Sequence, residues 1–382
     1  MNRAEAPLLS PDLAQQIANE TSEAIGHNVI ITDAEAIVIG SGDESRIGTL
    51  HEASFEVLES HQSAWHTPEQ ARALRGVLPG ITLPLVIDGE AVGTVGITGS
   101  PRQVRRFGLL VRRQTEILLE ESALLRNRLQ RERALESLVS DIGSFDAESS
   151  DADSIEATAR DLGFTLGVRR APMCVEITGA RIGPELLRGV RGVFHRHHDI
   201  VAGRSATTCA VLMEADGSRA PAEEARRLVD AVQRRFDVRV RVGLGEPGES
   251  LAELAGGWAD ADDALRLGSR RDPDRTVLDI RELRVEQALS VLSPTGRVRL
   301  TRGADDLRTQ PDWPLLRDTV VAWCESGFSL VEAAAALHVH RNTLLYRLGK
   351  LERLRGRPWR DHRGMLALYV ACLDDLIRDG QA

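Results

Sequence analysis

The segment SLVEAAAALHVHRNTLLYRLGKL, residues 329–351, contains two helical patterns separated by a tight turn. Small residues in the first helix let two helices cross closely, as a helix-turn-helix arrangement requires. In the second helix, Leu344, Leu348 and Leu351 fall on one side at about 100° per residue, and polar residues gather on the opposite side. The segment therefore predicts a helix-turn-helix whose second helix packs with one face and reads DNA with the other.

Local charge supports this interpretation. Residues 338–363 carry eight Arg or Lys against two acidic residues, a local excess of +6 in a chain whose net charge is -9. Such an excess is what phosphate binding requires. Asn342 can read adenine and Arg347 guanine, while Thr343 and Tyr346 suit backbone or thymine-methyl contacts. The predicted DNA-binding residues are Ser329, Arg341, Asn342, Thr343, Tyr346, Arg347, Lys350 and Arg353. A solvated basic helix in an ordinary bundle is the alternative.

Length and composition bound the remaining possibilities. The 382 residues predict two or three domains, and 42% hydrophobic with 27% charged residues is a globular mixture. No apolar run approaches eighteen residues, and the start lacks a signal-peptide pattern, so a soluble cytoplasmic protein without a membrane span is expected. The four cysteines form no CxxC pair, which predicts buried thiols with no metal, disulfide framework or other cofactor.

The first hundred residues predict a small antiparallel sheet with helices on one side. A helix begins at Ser10-Pro11-Asp12. Hairpins are predicted for residues 28–32 with 36–40 and for 81–87 with 91–98, the second turning at Asp88-Gly89. Helices are predicted between them at residues 51–60 and 68–76. This order is typical of sensor modules.

A long helix is predicted for residues 103–140, which contain neither Pro nor a loop signal. Leu110, Ile117 and Leu124 recur every seven residues in this helix. Either a short dimer contact or packing on its own domain explains the pattern equally well. Because helix-turn-helix proteins usually read two half-sites, a homo-oligomer is expected.

The remaining segments predict a linker, an α/β domain and a helical end. Residues 145–154 are acidic and Ser-rich, without apolar periodicity. Strands and helices then alternate to about residue 280, which indicates a ferredoxin-like or nucleotidyl-cyclase-like sandwich. The strands are predicted at residues 173–178, near 200, at 207–213, 238–244 and 276–280, and the helices at 184–194, 221–236 and 250–267. From about residue 311 the pattern is helical throughout, with a supporting helix at 365–377.

The segment GSGDESRIG, residues 40–48, precedes a predicted helix start at His51. Glycines let backbone N–H groups converge, a helix N-terminus favours an anion, and Arg46 can grip a carboxylate with two hydrogen bonds. A small anionic ligand therefore fits, with Arg75 and Thr82 as a second pole. The alternative is a Gly-rich turn in which Arg46 merely pairs with a neighbouring carboxylate, Asp43 or Glu44.

Two further patterns carry little weight. GLGEPG, residues 243–248, matches a dinucleotide motif, but the preceding elements do not begin a βαβ unit, and its Pro lacks an N–H. HRHHD, residues 195–199, fits no zinc spacing and is interpreted as an exposed loop. The sequence contains no GxSxG, HExxH or P-loop, so we expect no catalytic set and no enzyme activity.

Residues 10–145 resemble the sugar diacid recognition domain of the carbohydrate diacid regulators, chiefly at residues 39–52, 80–85 and 93–99. HRNTLLYRL, residues 340–348, is similar to the helix-turn-helix signature shared by that family and the purine-catabolism regulators. The middle domain resembles a degenerate GGDEF-like cyclase domain. The turn GRSATT, residues 203–208, has no carboxylate to hold a divalent metal where active cyclases carry one.

The resemblance implies an α+β multidomain protein with a PAS/Cache-like sensor domain (1–102), a connecting helix (103–145), a degenerate GGDEF-like domain (146–290) and an all-α helix-turn-helix domain (291–382). It implies a ligand such as glucarate, galactarate or glycerate and activation of genes for its use. The predicted ligand-binding residues are Ser41, Gly42, Asp43, Arg46, Gly48, His51, Arg75 and Thr82. The competing hypotheses are a purine- or amino-acid-responsive relative and, from another class, a cyclase or a nucleotide-dependent oxidoreductase.

Overall fold

A computed structural model describes residues 9–87, 89–194, 196 and 198–379, with backbone alone at 101, 102 and 379. The chain divides into two compact units, residues 1–131 and 132–382. The strands are β1 (Val29–Thr32), β2 (Val38–Ser41), β3 (Ala64–His66), β4 (Gly80–Ile87), β5 (Glu90–Thr98), β6 (Arg170–Thr178), β7 (Ile200–Gly203), β8 (Thr208–Glu214), β9 (Arg239–Leu244) and β10 (Val277–Asp279).

The helices are α1 (Pro11–Ile25), α2 (Ala53–Ser60), α3 (Pro68–Arg72), α4 (Pro101–Gly143), α5 (Ala152–Asp161), α6 (Pro184–Val193), α7 (Pro221–Phe236), α8 (Leu251–Arg271), α9 (Arg284–Ser290), α10 (Pro294–Thr301), α11 (Asp305–Arg308), α12 (Trp313–Glu325), α13 (Leu330–Ala336), α14 (Arg341–Arg355) and α15 (His362–Asp379). Within the described ranges, none of these helices is both long and apolar enough to cross a membrane.

The first unit contains an antiparallel sheet in the order β2-β1-β5-β4-β3. Both predicted hairpins are confirmed, although Asp88 of the predicted second turn lies outside the described residues. Helix α1 begins as predicted, because the Ser10 hydroxyl accepts the Leu13 N–H and Pro11 occupies the first turn. One sheet face forms an apolar core with α1 and α4, while α2 packs against β4 and β5.

Two helices of this unit are shorter than predicted. The helix predicted from residue 51 begins at Ala53, because the His51 N–H pairs with the Ala36 carbonyl instead. The helix predicted to residue 76 ends at Arg72. Beyond it, the Arg75 backbone bonds to Glu52, and Gly76 adopts a left-handed φ of 69°. Long-range loop pairing therefore ends both helical patterns.

The second unit contains a sheet in the order β10-β9-β6-β8-β7, with β10 parallel to β9 and the other pairs antiparallel. Helices α6 and α7 cover one face. The end of α4, together with α5 and α8, covers the other. The predicted α/β sandwich is confirmed, but residues 145–154 are not entirely a linker, because Asp151 caps α5 by accepting the Ser154 N–H.

Helix α8 carries two apolar contacts at its opposite ends. Near its start, Leu254 and Trp258 belong to one buried cluster with Leu138 and Ile142 of α4. Near its end, a second cluster joins it to α15: Leu267, Leu289, Leu373 and Ile377. The helix therefore connects the end of α4 to the C-terminal helices within one unit.

The GLGEPG glycines serve packing between β9 and α8. A Cβ on Gly245 would lie 1.7 Å from the Gly257 carbonyl oxygen. Its N–H donates to the Pro172 carbonyl, and the Gly248 N–H donates to the Arg170 carbonyl, each at 2.9 Å. These donors are therefore not available to a phosphate, and close backbone approach explains the motif.

We predict that Gly245→Ala lowers the free energy of unfolding by about 1–3 kcal/mol, because the new methyl group overlaps the α8 backbone. Urea unfolding of the full chain measures this change. Gly167→Ala is the control, since its Cβ would meet nothing within 4 Å. Equal stability of the two variants would contradict the packing explanation.

Candidate functional site

The backbone donors of the 40–48 loop are already engaged. The Ser41 N–H donates to Gln15 Oε1 at 3.0 Å, the Gly42 N–H to the Val29 carbonyl at 3.0 Å, and the Gly48 N–H to the Val38 carbonyl at 2.8 Å. The Ser41 hydroxyl is also used, accepting the Asp43 N–H. The expectation that these groups converge on an anion is therefore wrong, and they hold the loop in shape instead.

Asp43 and Arg46 have separate structural partners. The Asp43 carboxylate accepts the Ser45 hydroxyl at 2.7 Å and the Ser45 N–H at 3.1 Å, and these hydrogen bonds lower the Asp43 pKa. Arg46 Nη2 donates to the Gly76 carbonyl. Among the residues with described side chains, Arg46 forms no ion pair with either Asp43 or Glu44, so the alternative prediction of a simple ion-paired turn is not met.

Two loops meet beside Arg46. The Glu52 N–H donates to the Arg75 carbonyl at 3.0 Å, and the Arg75 N–H donates to Glu52 Oε2 at 2.6 Å. Gly76 approaches the Leu50 carbonyl so closely that a Cβ there would lie 2.0 Å from its oxygen. The Arg75 side chain is exposed. The fold thus brings two predicted ligand-binding arginines onto adjoining loops.

A buried polar network lies between α2 and the sheet. His51 Nδ1 lies 2.8 Å from Ser54 Oγ, Ser54 Oγ lies 2.7 Å from Thr94 Oγ1, and Thr94 Oγ1 lies 2.8 Å from Thr32 Oγ1. We call this network, with two further buried polar residues of β3 and β4, the polar layer: Thr32, His51, Ser54, His66, Thr82 and Thr94. Buried polar residues are informative because apolar residues normally fill such positions.

Sequence reasoning placed only His51 and Thr82 of the polar layer. It missed Thr32, Ser54 and Thr94, although threonines within otherwise apolar strand patterns are a usable signal. His66 was missed because its short strand was not predicted. The polar layer therefore gathers the buried hydrogen-bonding side chains that lie between α2 and the sheet, while Ser41 of the 40–48 loop is a further buried polar residue.

The His51 side chain is held neutral. Burial lowers its pKa to about 4, and the positive charge of Arg46 and the proximity of His66 act in the same direction. A neutral imidazole can donate one hydrogen bond and accept another. At neutral pH, His51 therefore suits a hydroxyl better than it suits a carboxylate.

The helix-turn-helix prediction is confirmed in detail. Ser329 caps α13 by accepting the Glu332 N–H, and His340 caps α14 by accepting the Asn342 N–H at 3.2 Å. The predicted apolar stripe is fully buried: Leu344, Leu348 and Leu351. The stripe fixes α14 against the other helices and leaves its polar face outward.

Most of the predicted DNA-binding residues lie on that outward face. Tyr346 is 66% exposed, and the exposed residues also include Arg341, Asn342, Thr343 and Arg353, while Arg347 is half-buried. Lys350 differs, because its ammonium lies 2.7 Å from both carboxylate oxygens of Asp312. Lys350 is therefore engaged in an ion pair, and its contact with DNA stays a prediction. The ion pair joins α14 to the residue preceding α12.

In the described part of the middle domain, no side-chain cluster could hold a metal ion, and the turn at the cyclase-like position carries an ion-paired arginine. Residues 203–208 form the turn between the paired strands β7 and β8, and Arg204 in it binds both Asp262 oxygens, at 2.6 and 3.0 Å. Where side chains are described, no group of three or more His, Cys, Asp or Glu could hold a metal ion. His195 and His197 lie outside the described residues, while Asp199 accepts hydrogen bonds from Arg219.

Three family models match consecutive parts of the chain. Sugar diacid recognition matches residues 9–142, a GGDEF-like domain matches 146–267, and the PucR C-terminal helix-turn-helix domain matches 316–373. Together with the geometry of α13 and α14, these matches define a modular DNA-binding transcriptional regulator.

Comparison over the whole chain identifies the family. The Carbohydrate diacid regulator of Escherichia coli is 32% identical over 95% of this chain and 97% of its own length. The chain therefore belongs to the carbohydrate diacid regulator family.

Two other proteins show a more distant similarity. An uncharacterised protein of Bacillus subtilis is 25% identical over 95% of this chain and 97% of its own length. A solved regulator of polyketide synthase expression from Bifidobacterium adolescentis is 21% identical, with a TM-score of 0.33, over 65% of this chain and 93% of that chain. This structural likeness is too low to bear on the fold.

We predict that acid weakens the first unit through His51. Its pKa lies below the ordinary value of 6.5, so the unfolded chain binds more protons between pH 6.5 and 4, and stability falls as pH falls through that window. The contribution is about 2 kcal/mol between pH 7.5 and 5. Between pH 7.5 and 5, the free energy of unfolding measured with urea should fall by about 2 kcal/mol more for wild type than for His51→Gln. Parallel pH profiles would contradict it.

We predict that Arg347→Ala weakens DNA binding by roughly 1–3 kcal/mol and relaxes preference at one base pair. Fluorescence anisotropy with a duplex selected by the chain from a random pool measures both effects. Arg302→Ala is the control, because Arg302 is exposed and lies outside α13 and α14. If both variants keep wild-type affinity and preference, Arg347 does not belong to the reading face.

Proposed function

We propose that this protein is a ligand-responsive transcriptional regulator that senses a sugar diacid or a related acid such as glucarate, galactarate or glycerate. It acts in the cytoplasm and activates genes for uptake and catabolism of that acid. The observation that carries the proposal is the joining of Arg46 and Arg75 on adjoining loops of a unit that also contains the polar layer. The name of the Escherichia coli relative supports the ligand class.

The chemistry of a sugar diacid fits these groups. A carboxylate pairs well with a guanidinium that presents two N–H groups, and Arg46 is already oriented by the Gly76 carbonyl. The hydroxyl groups of the ligand need neutral donors and acceptors, which His51 and Thr82 supply. Ser41, Gly42, Asp43 and Gly48 act indirectly in this proposal, by shaping the loop that carries Arg46.

The order of the five antiparallel strands and the packing of α2 against them support the proposed PAS/Cache-like sensor fold. The ligand signal then passes along α4. In the first unit, Val104, Val111 and Leu119 of this helix belong to the sensor core. In the second unit, Leu138 and Ile142 belong to the middle-domain core. A ligand that binds two arrangements of α4 with different affinity changes their populations.

The middle of α4 supplies a contact with a second copy. Leu110, Ile117 and Leu124 are 63%, 40% and 69% exposed, so packing on their own unit does not account for the seven-residue repeat. A seam of this spacing buries itself against an identical helix. Dimerisation would present two α14 helices to two half-sites, as helix-turn-helix proteins require. The oligomer in this proposal is therefore a dimer through α4.

The middle domain acts in this proposal as a mechanical link rather than as an enzyme. Arg204 occupies the turn where active cyclases carry metal-binding carboxylates, and Asp262 neutralises it. Near the end of α8, Arg271 Nη1 binds Glu286 Oε1 at 2.7 Å, and Arg271 Nη2 also binds Glu325 of α12. Arg270 donates to the Ile377 carbonyl of α15 at 3.0 Å. These contacts hold the DNA-binding helices to α8.

We predict that calorimetric titration of the full chain gives saturable binding for glucarate, galactarate or glycerate and none for gluconate at the same concentration. Arg46→Met should weaken that binding about tenfold to a hundredfold, because the variant lacks one charge-assisted pair. Arg105→Met, an exposed arginine of α4, is the charge-matched control and should leave the affinity unchanged.

Failure of all three acids to bind a folded chain would contradict the proposed ligand class and favour the purine- or amino-acid-responsive alternative. Binding that persists in Arg46→Met would retain the ligand class but move the site away from Arg46.

A further inference from the structure

A basic segment directly follows α14, the helix that reads DNA in the proposed function. We define it as residues 356–363, which run from the end of α14 into the first turn of α15. Its three arginines are exposed: Arg357, Arg360 and Arg363. Among the described side chains none of them forms an ion pair, and the one carboxylate of the segment, Asp361, is occupied in accepting the Gly364 N–H at 3.1 Å. With three arginines against one carboxylate, the segment therefore presents net positive charge.

Not every arginine near the basic segment faces outward. Arg355, which belongs to the same local excess in the sequence, points inward: its Nη2 donates to the Gly364 carbonyl at 2.8 Å and its Nη1 lies 3.1 Å from Met365 Sδ. Burial lowers the Arg355 pKa, in keeping with a structural position. Arg355 closes the segment into a loop, and the outward charge belongs to the three exposed arginines.

Aromatic contacts hold the basic segment in place. The Trp359 ring packs edge-on against Trp323 with ring centroids 5.2 Å apart, and the Trp359 backbone N–H donates to Glu352 Oε2 of α14 at 3.4 Å. The His362 ring stacks on Phe328 at 4.2 Å with an interplanar angle of 13°. Because both sides of the loop are anchored, little backbone conformational entropy remains to be lost when a ligand binds its arginines.

These anchors also place the segment beside the DNA-facing elements. Phe328 immediately precedes Ser329, the capping residue of α13, and Glu352 belongs to α14. In a helix-turn-helix protein, the first helix crosses the DNA backbone while the second enters the major groove. In such a complex, a loop anchored at Phe328 and Glu352 would lie next to the phosphates that flank the bases read by α14.

We propose that Arg357, Arg360 and Arg363 form a second DNA-binding element that grips the phosphate backbone beside the half-site read by α14. The proposal rests on DNA reading by α14. The Arg360 guanidinium lies over the Trp359 ring, 4.9 Å from its centroid, so the anchored tryptophan also orients one of the three cations. Phosphate contacts fix register and add affinity without reading sequence.

The test is the salt dependence of DNA binding by the full chain. A triple variant, Arg357→Gln with Arg360→Gln and Arg363→Gln, is compared with wild type on the selected duplex and on an unrelated duplex. The slope of log affinity against log salt should fall by roughly 0.9 for each phosphate that the variant no longer neutralises. Affinity should decline by the same factor on both duplexes, leaving the site preference unchanged.

Two sets of variants make the outcome specific. Arg226→Gln with Arg299→Gln and Arg302→Gln removes the same charge from exposed positions elsewhere in the unit and should leave the slope near that of wild type. Replacing the three loop arginines by lysine retains the charge and should retain most of the slope, which separates weaker phosphate binding from a folding defect.

An unchanged slope in the glutamine variant, with Arg347→Ala still weakening binding, would overturn this proposal alone. A changed preference between the duplexes would also overturn it, because the arginines would then read bases. If Arg347→Ala has no effect either, the failure lies with the proposed reading face of α14.

Discussion

Helix α8 is the element on which the second unit depends. It begins with a capping box, in which the Ser250 hydroxyl accepts the Glu253 N–H and the Glu253 carboxylate accepts the Ser250 N–H. Its 21 residues span about 31 Å. Trp258 in its first half packs with the end of α4, and Arg271 at its last residue binds Glu325 beneath the DNA-binding helices. The glycine contacts between α8 and β9 hold this helix against the sheet. Helix α8 therefore contacts both α4, along which the ligand signal passes in the proposal, and the C-terminal helices, which bind DNA in the proposal.

The first unit combines two chemically different environments. Arg46 and Arg75 lie on adjoining loops, where a carboxylate would find positive charge. The polar layer is neutral, because burial and nearby positive charge hold His51 deprotonated. A polyhydroxylated acid can exchange hydrogen bonds with the polar layer, whose hydroxyl groups otherwise bond to one another, while an apolar acid gains nothing from them. The combination of positively charged loops with a neutral polar layer supports the proposed ligand class more directly than the glycine-rich loop does.

The sequence predicted most features that depend on residues close together in the chain. It missed contacts between residues that are far apart in the chain. Leu344, Leu348 and Leu351 were predicted as a packing stripe from helical spacing alone, and the hairpins followed from strand patterns and turn signals. The N–H of Gly42 was wrongly assigned to a ligand because its true acceptor, Val29, belongs to another strand. The ion pair of Lys350 was missed because its partner Asp312 lies 38 positions away in the sequence. The polar layer was largely missed because its hydroxyl groups come from separate strands and a helix. The periodicity of apolar residues identifies which face of a helix is buried, but only the tertiary structure identifies the residues that contact it.

Regulation by an acid requires energetic coupling between the acid site and the DNA-binding face, and coupling of this kind is reciprocal. The most direct measurement is calorimetric titration of the effective acid into the full chain, first alone and then saturated with its selected duplex. We expect DNA to change the affinity for the acid by the same factor by which the acid changes the affinity for DNA. Equal affinity of the free and DNA-bound protein for the acid would contradict the proposed regulation, since the ligand would then bind without influencing the DNA-binding helices.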